Sequence, residues 1–463
     1  MFSIKKTDFW AEPLAVYSAL RVRGAASVLL ESLKPAAQAP ATSRYSIAAF
    51  SPFMTFESGA SDPFLAMKRL LRKFSFRAPT DFPPFVGGAI GYFAYEAKRH
   101  VEPKLSWRVF SGPHLPEAYF LFFKEGFVFD HQKRSVFIFA ASVARMTALE
   151  KQLCQVSQNK NAAKPPRMAA ETSRIERSFR REEFVEKVLA AKRYIQRGDI
   201  FQANLSQRLE FGLRSEPLAV YAALRRVNPS SFFGFLDAGD FQIISGSPER
   251  LVKMQNGVLE TRPIAGTRSR PRGASRDAAM SLELLLNEKE RAEHVMLVDL
   301  ERNDMGRVAE YGSVSVDELM AIEDYSHVKH IVSNVRGTLR KGLDGVDVLK
   351  AFFPGGTITG APKVRCMEII DELEPVARGP YTGSLGYLSF SGNLDFNILI
   401  RSLVIQNKKA ALHVGAGIVA DSDPEKEYDE TLYKAEAVLS AVFGAEKTRR
   451  FLRGSGVAAI RVS

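Results

Sequence analysis

The sequence predicts an α+β fold, and three observations predict it. Phe184, Val188, Ala191 and Ile195 fall on one face of a helical period, with Gly198 placed to end the helix. The strand patterns that follow include a hairpin signal at Gln255-Asn256-Gly257, because Asn-Gly suits a two-residue turn. Long helical patterns at 287–300 and 425–439 accompany these hairpins, a mixture that argues against strict βαβ alternation.

In chain order, residues 1–154 form a first region of strands and helices rich in aromatics, as in AYFLFFKEGFVFD (118–130). Residues 155–176 are polar, contain Pro165-Pro166 and have little periodicity, which reads as a linker. Residues 177–446 form a second region, and 447–463 a loose tail. No internal repeat is evident.

Composition narrows the class. The 463 residues are 46% hydrophobic and 25% charged, enough for a sizeable buried core. No apolar run has the length of a membrane span, and the N-terminus has no apolar signal core, so a cytosolic location is expected. Cys154 and Cys366 give neither a disulfide framework nor a CxxC metal pair, and the apolar setting VRCMEII makes Cys366 a buried small hydrophobe. The formal charge of +12 raises nucleic-acid binding. The basic residues are dispersed, however, with compact runs only at 268–272 and 447–453. An anionic small substrate fits the charge equally well.

Two acidic helices carry the strongest chemical signal. In NEKERAEHVMLVDL (287–300), Glu290, Glu293, His294 and Leu297 recur at helical spacing, so the two carboxylates project from one face. In EKEYDETLYKAEAVL (425–439), Glu427, Glu430, Thr431 and Lys434 do the same. Two such pairs suit Mg²⁺, which takes few protein carboxylates and keeps waters. A solvated helix surface is the plainer reading. Asp423-Pro424 is an N-cap signature, so Glu425 and Glu427 also answer the helix dipole; Glu430 lies beyond that first turn. A di-iron bundle would use Glu-x-x-His pairs, and the second helix has no His.

Three further segments could line a ligand. HVGAGIVADSDP (413–424) is an apolar strand interrupted by Gly415 and Gly417, where backbone approaches something closely. FPGGTITGAPK (353–363) is a glycine-rich turn entering a helix at Pro362, able to hold a carboxylate but lacking the GK[ST] ending of a phosphate loop. SGSPERLVKMQNGVLETRPIAGTR (245–268) places Glu249 after Ser-Pro at a strand bend, an orientation suited to acid work, and ends in the small, polar Ala265-Gly266-Thr267. His330 alternates with apolar residues and reads, alone, as a satisfied core histidine.

Together the ordered motifs FQANLSQR, SGSPERLV, LETRPIAGTR, NEKERAEHVMLVDLERND, FPGGTITGAPKVR, YTGSLGY and GAGIVADSDPEKEYDET resemble the chorismate-utilising family. That family comprises anthranilate synthase component I, aminodeoxychorismate synthase component I, isochorismate synthase and salicylate synthase. The likeness covers nearly the whole chain and is strongest over 184–442. VLLES, TSRYSIAAFSP and GGAIGYFAYE are similar to the family's amino-terminal half. The resemblance implies one α+β body, a β-sandwich flanked by helices. It also implies a tryptophan pocket at Ser32, Ser43, Arg44, Tyr45, Ser231, Phe232 and Phe233.

The resemblance further implies that Glu290 or Glu293 and Glu427 or Glu430 hold Mg²⁺ against the ring carboxylate, with Glu293 and Glu430 as direct ligands. Glu249 would be the general acid for loss of the C4 hydroxyl. Tyr381, Arg401, Gly415 and Gly417 would grip the enolpyruvyl side, Lys434 would add positive charge, and Gly266 and Thr267 would line the ring site. His330 matches the histidine facing substrate in pyruvate-eliminating members.

Two positions divide the relatives. Isochorismate and salicylate synthases carry a water-activating lysine where this chain has Gln202, so amination is expected over hydration. Many aminodeoxychorismate synthases carry a nucleophilic lysine where this chain has Ala265, as anthranilate synthases do. Asn204, the ITGAPK turn and the SDPE helix start resemble aminodeoxychorismate synthase, which makes 4-amino-4-deoxychorismate the expected product and anthranilate the alternative. A non-catalytic tryptophan-binding regulator is a third reading. Neither cysteine lies in a glutaminase-like elbow, so a separate glutamine amidotransferase is the expected source of ammonia.

Overall fold

The computed structural model describes residues 3–33, 44–76, 78–79, 81–110, 115–159, 164–269, 274–324 and 328–455. Its frame is two large antiparallel sheets. The first has 12 strands, and its central order runs Tyr45–Phe50, Ser27–Glu31, Phe232–Asp237, Phe241–Ser247, Ser402–Gln406, Lys409–Ile418, Gln202–Gly212. The second has 10 strands, and its central order runs Ile264–Ser269, Val328–Thr338, Val258–Thr261, Arg250–Gln255, Leu394–Asn397, Ser384–Ser389, Gly88–Phe93. Strands from the amino-terminal region therefore sit beside strands from the carboxy-terminal region in both sheets. The expected α+β sandwich flanked by helices is what forms.

The interior explains the aromatic run of the first region. Strands buried on both faces need no polar alternation. Ala118–Phe123 and Gly126–Asp130 are accordingly buried at every position. Ile90, Tyr92, Leu236, Ile243, Leu385 and Leu399 fill one shared core cluster. The helix Arg181–Gln196 buries Phe184, Val188 and Ala191, as its period requires, and Phe184 meets Tyr428 of helix Pro424–Phe443 edge-on at 5.7 Å. The Asn256-Gly257 turn has positive φ at both residues, 53° and 79°, and joins Arg250–Gln255 to Val258–Thr261 as the hairpin signal requires.

Two chain segments differ from their sequence reading. Residues 155–158, placed in the linker, complete the helix Val143–Gln158, which buries Leu153. Within the remaining stretch, the buried Glu171 carboxylate accepts the Arg214 and Ser215 amides, so this piece is tied to the body. Residues 447–454, placed in a loose tail, belong to the helix Ala445–Gly454; Thr448 and Leu452 are buried, and Lys447 donates to the Glu171 carbonyl at 2.6 Å. Amphipathic spacing hidden among the four basic residues of KTRRFLR explains why polarity alone misread it. Residues 456–463 lie outside the described set. Among the described residues, no helix is long and apolar enough to cross a membrane.

Candidate active site

The chain passes between the two sheets several times, and two of these crossings carry charged side chains that the sequence singled out. Phe241–Ser247 belongs to the first sheet and Arg250–Gln255 to the second, so the chain passes between them at Glu249. Leu394–Asn397 and Ser402–Gln406 make the return crossing, which holds Arg401 with a positive φ of 51°. The crossings are stitched together: the Ile398 amide donates to the Glu249 carbonyl at 3.1 Å, and the Gly246 amide to the Arg401 carbonyl at 3.2 Å. Strand ends cannot satisfy their own ladders here, so backbone bonds between the crossings fix both side chains.

Glu249 is buried, and the Thr357 hydroxyl donates to its Oε1 at 2.7 Å. Burial pushes its carboxyl up to about 7, while the Thr357 bond and the charges of Arg401 and Lys434 pull the other way. A carboxyl tuned to that value is protonated on the acid side of neutrality and can act as a general acid.

Beside it, the strand pair Gln202–Gly212 and Lys409–Ile418 builds a tight wall. A methyl group on Gly415 would stand 2.6 Å from Asn204 Oδ1 and 2.7 Å from the Tyr381 hydroxyl. One on Gly417 would stand 2.6 Å from Gln202 Nε2. Only glycine leaves that space open. Lys434 donates to the Gly415 carbonyl at 3.0 Å and pairs with Glu430 at 2.8 Å. The Tyr381 ring is buried and lies parallel to His413, 5.2 Å between centroids. Tyr381, Gly415, Gly417, Gln202, Lys434 and Glu430 thus gather at one end of this pair.

The bulged strand Ile264–Ser269 of the second sheet carries further predicted positions. Its pairing with Val328–Thr338 shifts between Ala265 and Thr267, so Gly266 is the extra residue, with φ of 61°. The bulge turns the Gly266 carbonyl to His330 Nδ1 at 2.9 Å. A carbonyl only accepts, so Nδ1 is the nitrogen that donates to it. His330 is buried and paired with Thr267 in register, a positioned histidine rather than an isolated core one. A methyl on Gly266 would also stand 2.9 Å from Glu290 Oε2, which places the first acidic helix against this strand. The Thr267 side chain lies outside the described set.

That helix, Glu288–Gly306, is capped by the Asn287 side chain, which accepts the Glu290 amide at 3.0 Å. Glu427 falls in the first turn of Pro424–Phe443, under the cap Asp423. Glu290, Glu293 and Glu427 are half-buried and Glu430 is exposed. Among the described residues, no three His, Cys, Asp or Glu side chains stand close enough to form a ready metal cage, so the four glutamates are not brought together as one cluster. The donors are hard oxygens, two on each helix, and so suit an ion that uses one or two protein carboxylates.

Sequence reasoning missed several groups. Thr357 lies in the quoted glycine-rich turn, but nothing in a lone hydroxyl announced its partner. Glu301 and Asp304 are buried further along Glu288–Gly306, and Lys363 pairs with Asp304. The signal was present: Glu290, His294, Leu297, Glu301 and Asp304 continue one helical stripe. His294 Nε2 meets Ser333 Oγ at 2.6 Å, and burial lowers the ring to about 4, so it is neutral.

A cavity of about 420 Å³ lies on the other side of the Glu249 crossing, where Arg250 turns into it. It is lined by Ser32, Arg44, Tyr45, Ser231, Phe232 and Phe233, so six of the seven positions named for a tryptophan pocket meet there; Ser43 lies outside the described residues. Ser32 Oγ donates to the Ser231 carbonyl at 3.0 Å, and Arg44 pairs with Asp130 at 2.9 Å.

Residues 28–440 match the family of chorismate binding enzymes. The chain is 44% identical over 440 residues to aminodeoxychorismate synthase component 1 of Bacillus subtilis strain 168, covering 90% of this chain and 91% of that one. It is 43% identical over 445 residues to anthranilate synthase component 1 of Acetivibrio thermocellus, covering 88% of each. Among solved structures, anthranilate synthase component I from Streptococcus pneumoniae TIGR4 superposes with a TM-score of 0.74 at 34% identity, covering 86% of this chain and 92% of that one. The menaquinone-specific isochorismate synthase of Escherichia coli shares the fold at 18% identity, with a TM-score of 0.74 over 96% and 95% of the two chains. With its strand crossings, glycine wall and acidic helices all inside the matched span, this chain belongs to the chorismate binding enzyme family.

Proposed function

We propose that this enzyme aminates chorismate to 4-amino-4-deoxychorismate, using ammonia released by a separate glutamine amidotransferase subunit. The observation that carries amination is Gln202, whose amide fills the space beside Gly417. An amide cannot take a proton from water, whereas ammonia attacks without a base. The name of the Bacillus subtilis relative supports C4 as the position, and its designation as a component 1 supports a partner subunit.

In this reading the ring lies between the Gly415–Gly417 wall and the Gly266 bulge. Arg401 matches the enolpyruvyl carboxylate with its forked donors, and Tyr381 and Lys434 close that end. Glu249 gives its proton to the C4 oxygen as the C–O bond breaks, and water leaves. The new C–N bond forms from ammonia, and the proton shed by the nitrogen restores Glu249. The balance is chorismate plus ammonia giving aminodeoxychorismate plus water. Mg²⁺ would be held by Glu293 and Glu430, with Glu290 and Glu427 beside them; when bound it neutralises the ring carboxylate. The cavity at Ser32 and Tyr45 would take tryptophan.

Anthranilate formation is the second reading. Ala265 stands where a covalent lysine would be needed for one route to the C4 amine, and the Gly266 carbonyl orients His330 through Nδ1 at 2.9 Å. The deciding experiment incubates the protein with chorismate, Mg²⁺ and ammonium. Production of 4-aminobenzoate after adding aminodeoxychorismate lyase supports the first reading. Fluorescent anthranilate with pyruvate replaces it by the second, and no consumption of chorismate overturns both.

A further inference from the structure

Asn204 belongs to the strand Gln202–Gly212 and pairs in register with Gly417. Its backbone is committed on both sides. The Asn204 amide donates to the Thr359 carbonyl at 2.9 Å, and the Asn204 carbonyl accepts from Arg378 Nη2 at 2.6 Å. Both partners are themselves held. Arg378 is buried and pairs with Glu374 at 2.7 Å, and Thr359 lies two residues beyond Thr357, whose hydroxyl holds Glu249. The side chain is the exception. Asn204 Oδ1 is buried and has no hydrogen-bond partner among the described residues. A buried amide oxygen is costly to leave unpaired, so its position calls for a donor that the protein does not supply.

The space beside this oxygen is the glycine wall. A methyl on Gly415 would stand 2.6 Å from Asn204 Oδ1 and 2.7 Å from the Tyr381 hydroxyl, so the three groups border one opening. Gln202 is two residues earlier, hence on the same face of the strand, and its Nε2 stands beside Gly417 in the same way. The wall therefore presents an amide donor and, next to it, an unpaired amide acceptor. Carboxylates and ethers only accept, so neither can answer Oδ1. Chorismate carries carboxylates, an ether oxygen and the C4 hydroxyl, and of these only the hydroxyl can donate.

We propose that Asn204 is a substrate-binding residue whose side-chain oxygen accepts the hydrogen of the C4 hydroxyl. The hydroxyl oxygen is then free to take the Glu249 proton, and it leaves as water carrying its own hydrogen and that one. In the amination product the C4 amine presents an N–H in the same place, so one acceptor serves the group that leaves and the group that arrives. The inference rests on chorismate lying against the Gly415–Gly417 wall, as in the amination reading. It does not depend on which ring carbon receives the nitrogen, because the C4 hydroxyl is present in the bound substrate either way.

The test titrates ligands calorimetrically with Mg²⁺ and without ammonium, so that amination does not run. The ligands are chorismate and 4-deoxychorismate, which lacks only the hydroxyl. Wild type should bind chorismate about tenfold more tightly than the deoxy compound. Asn204→Leu is close in volume and cannot accept, and it should bring that ratio to about one by weakening chorismate. Asn204→Asp keeps an acceptor in place and should retain the ratio, since its charge acts on both ligands alike. Should Asn204→Leu not fold, Asn204→Ala reads the same ratio. Equal binding of the two ligands by wild type would overturn the proposal without any variant, and so would an undiminished ratio in Asn204→Leu. Either result leaves the amination reading standing, because chorismate is still bound. Failure of wild type to bind chorismate would instead overturn the placement of the substrate and this contact with it.

Discussion

The Thr357 hydroxyl donates to Glu249 Oε1 at 2.7 Å, joining a glycine-rich turn to the point where the chain passes from one sheet to the other. The bond reaches across 108 residues of sequence. It holds the carboxyl that burial has brought to about 7 in one orientation. It also favours the ionised form, because a hydroxyl donates more strongly to a carboxylate than to an acid.

Thr357→Val removes that donor while keeping shape. Glu249 should then hold its proton to higher pH, moving the alkaline limb of kcat up by about one unit, while loss of orientation lowers kcat about tenfold. A pH–rate series on the two proteins checks both. An unchanged limb would mean that Thr357 does not govern the acid.

Glu249→Gln should lower kcat by about 10²–10⁴, the usual contribution of a positioned acid. The same change should stabilise the fold above neutrality. The folded value, about 7, lies above the ordinary 4.5, so the unfolded chain gives up this proton first as pH rises. The resulting penalty is absent below about pH 4.5, grows through the interval and is complete above pH 7, where it approaches about 3 kcal/mol. Thermal melts at pH 5 and pH 8 should show the variant gaining only at pH 8. Equal shifts at both would refute the linkage.

The fold class and the shape of the site were legible because they rest on local pattern. Asn256-Gly257 specified its turn through φ, and the Phe184 face specified its helix through period. Gly415 and Gly417 were readable as close approach, and the acidic stripes as helix faces. What could not be read was contact between distant segments. Nothing in the sequence places Thr357 against Glu249 or Gly266 against His330. Each depends on sheet register, which a linear pattern does not encode. The helix Ala445–Gly454 was hidden differently: its burial rests on Thr448 and Leu452, too few apolar positions to outweigh its charges.

Gly415→Ala tests the wall. The added methyl would meet Asn204 Oδ1 and the Tyr381 hydroxyl inside van der Waals distance, and it would fill the space assigned to the enolpyruvyl group. The methyl would also stand 2.8 Å from the Leu205 carbonyl oxygen, so circular dichroism first checks that the variant folds. The KM for chorismate should rise about tenfold or more with a smaller change in kcat, since ground-state and transition-state binding are lost together. An unchanged KM would place the substrate elsewhere.

Glu293→Gln tests the metal reading. Mg²⁺ affinity should fall, so that the Mg²⁺ concentration for half-maximal rate rises by about 10- to 100-fold, and turnover at low Mg²⁺ is lost. Glu427→Gln, assigned beside the metal and not to it, should shift the same curve less. The fold should survive both, because neither carboxylate belongs to the buried core. Circular dichroism checks the fold, and direct titration of Mg²⁺ checks binding without turnover. The ordering is the informative part. If Glu427→Gln weakens Mg²⁺ more than Glu293→Gln does, the assignment of direct ligand and neighbour is reversed. If neither changes binding, the ion is not held by these helices, and the acidic faces serve only solvation and the helix dipole.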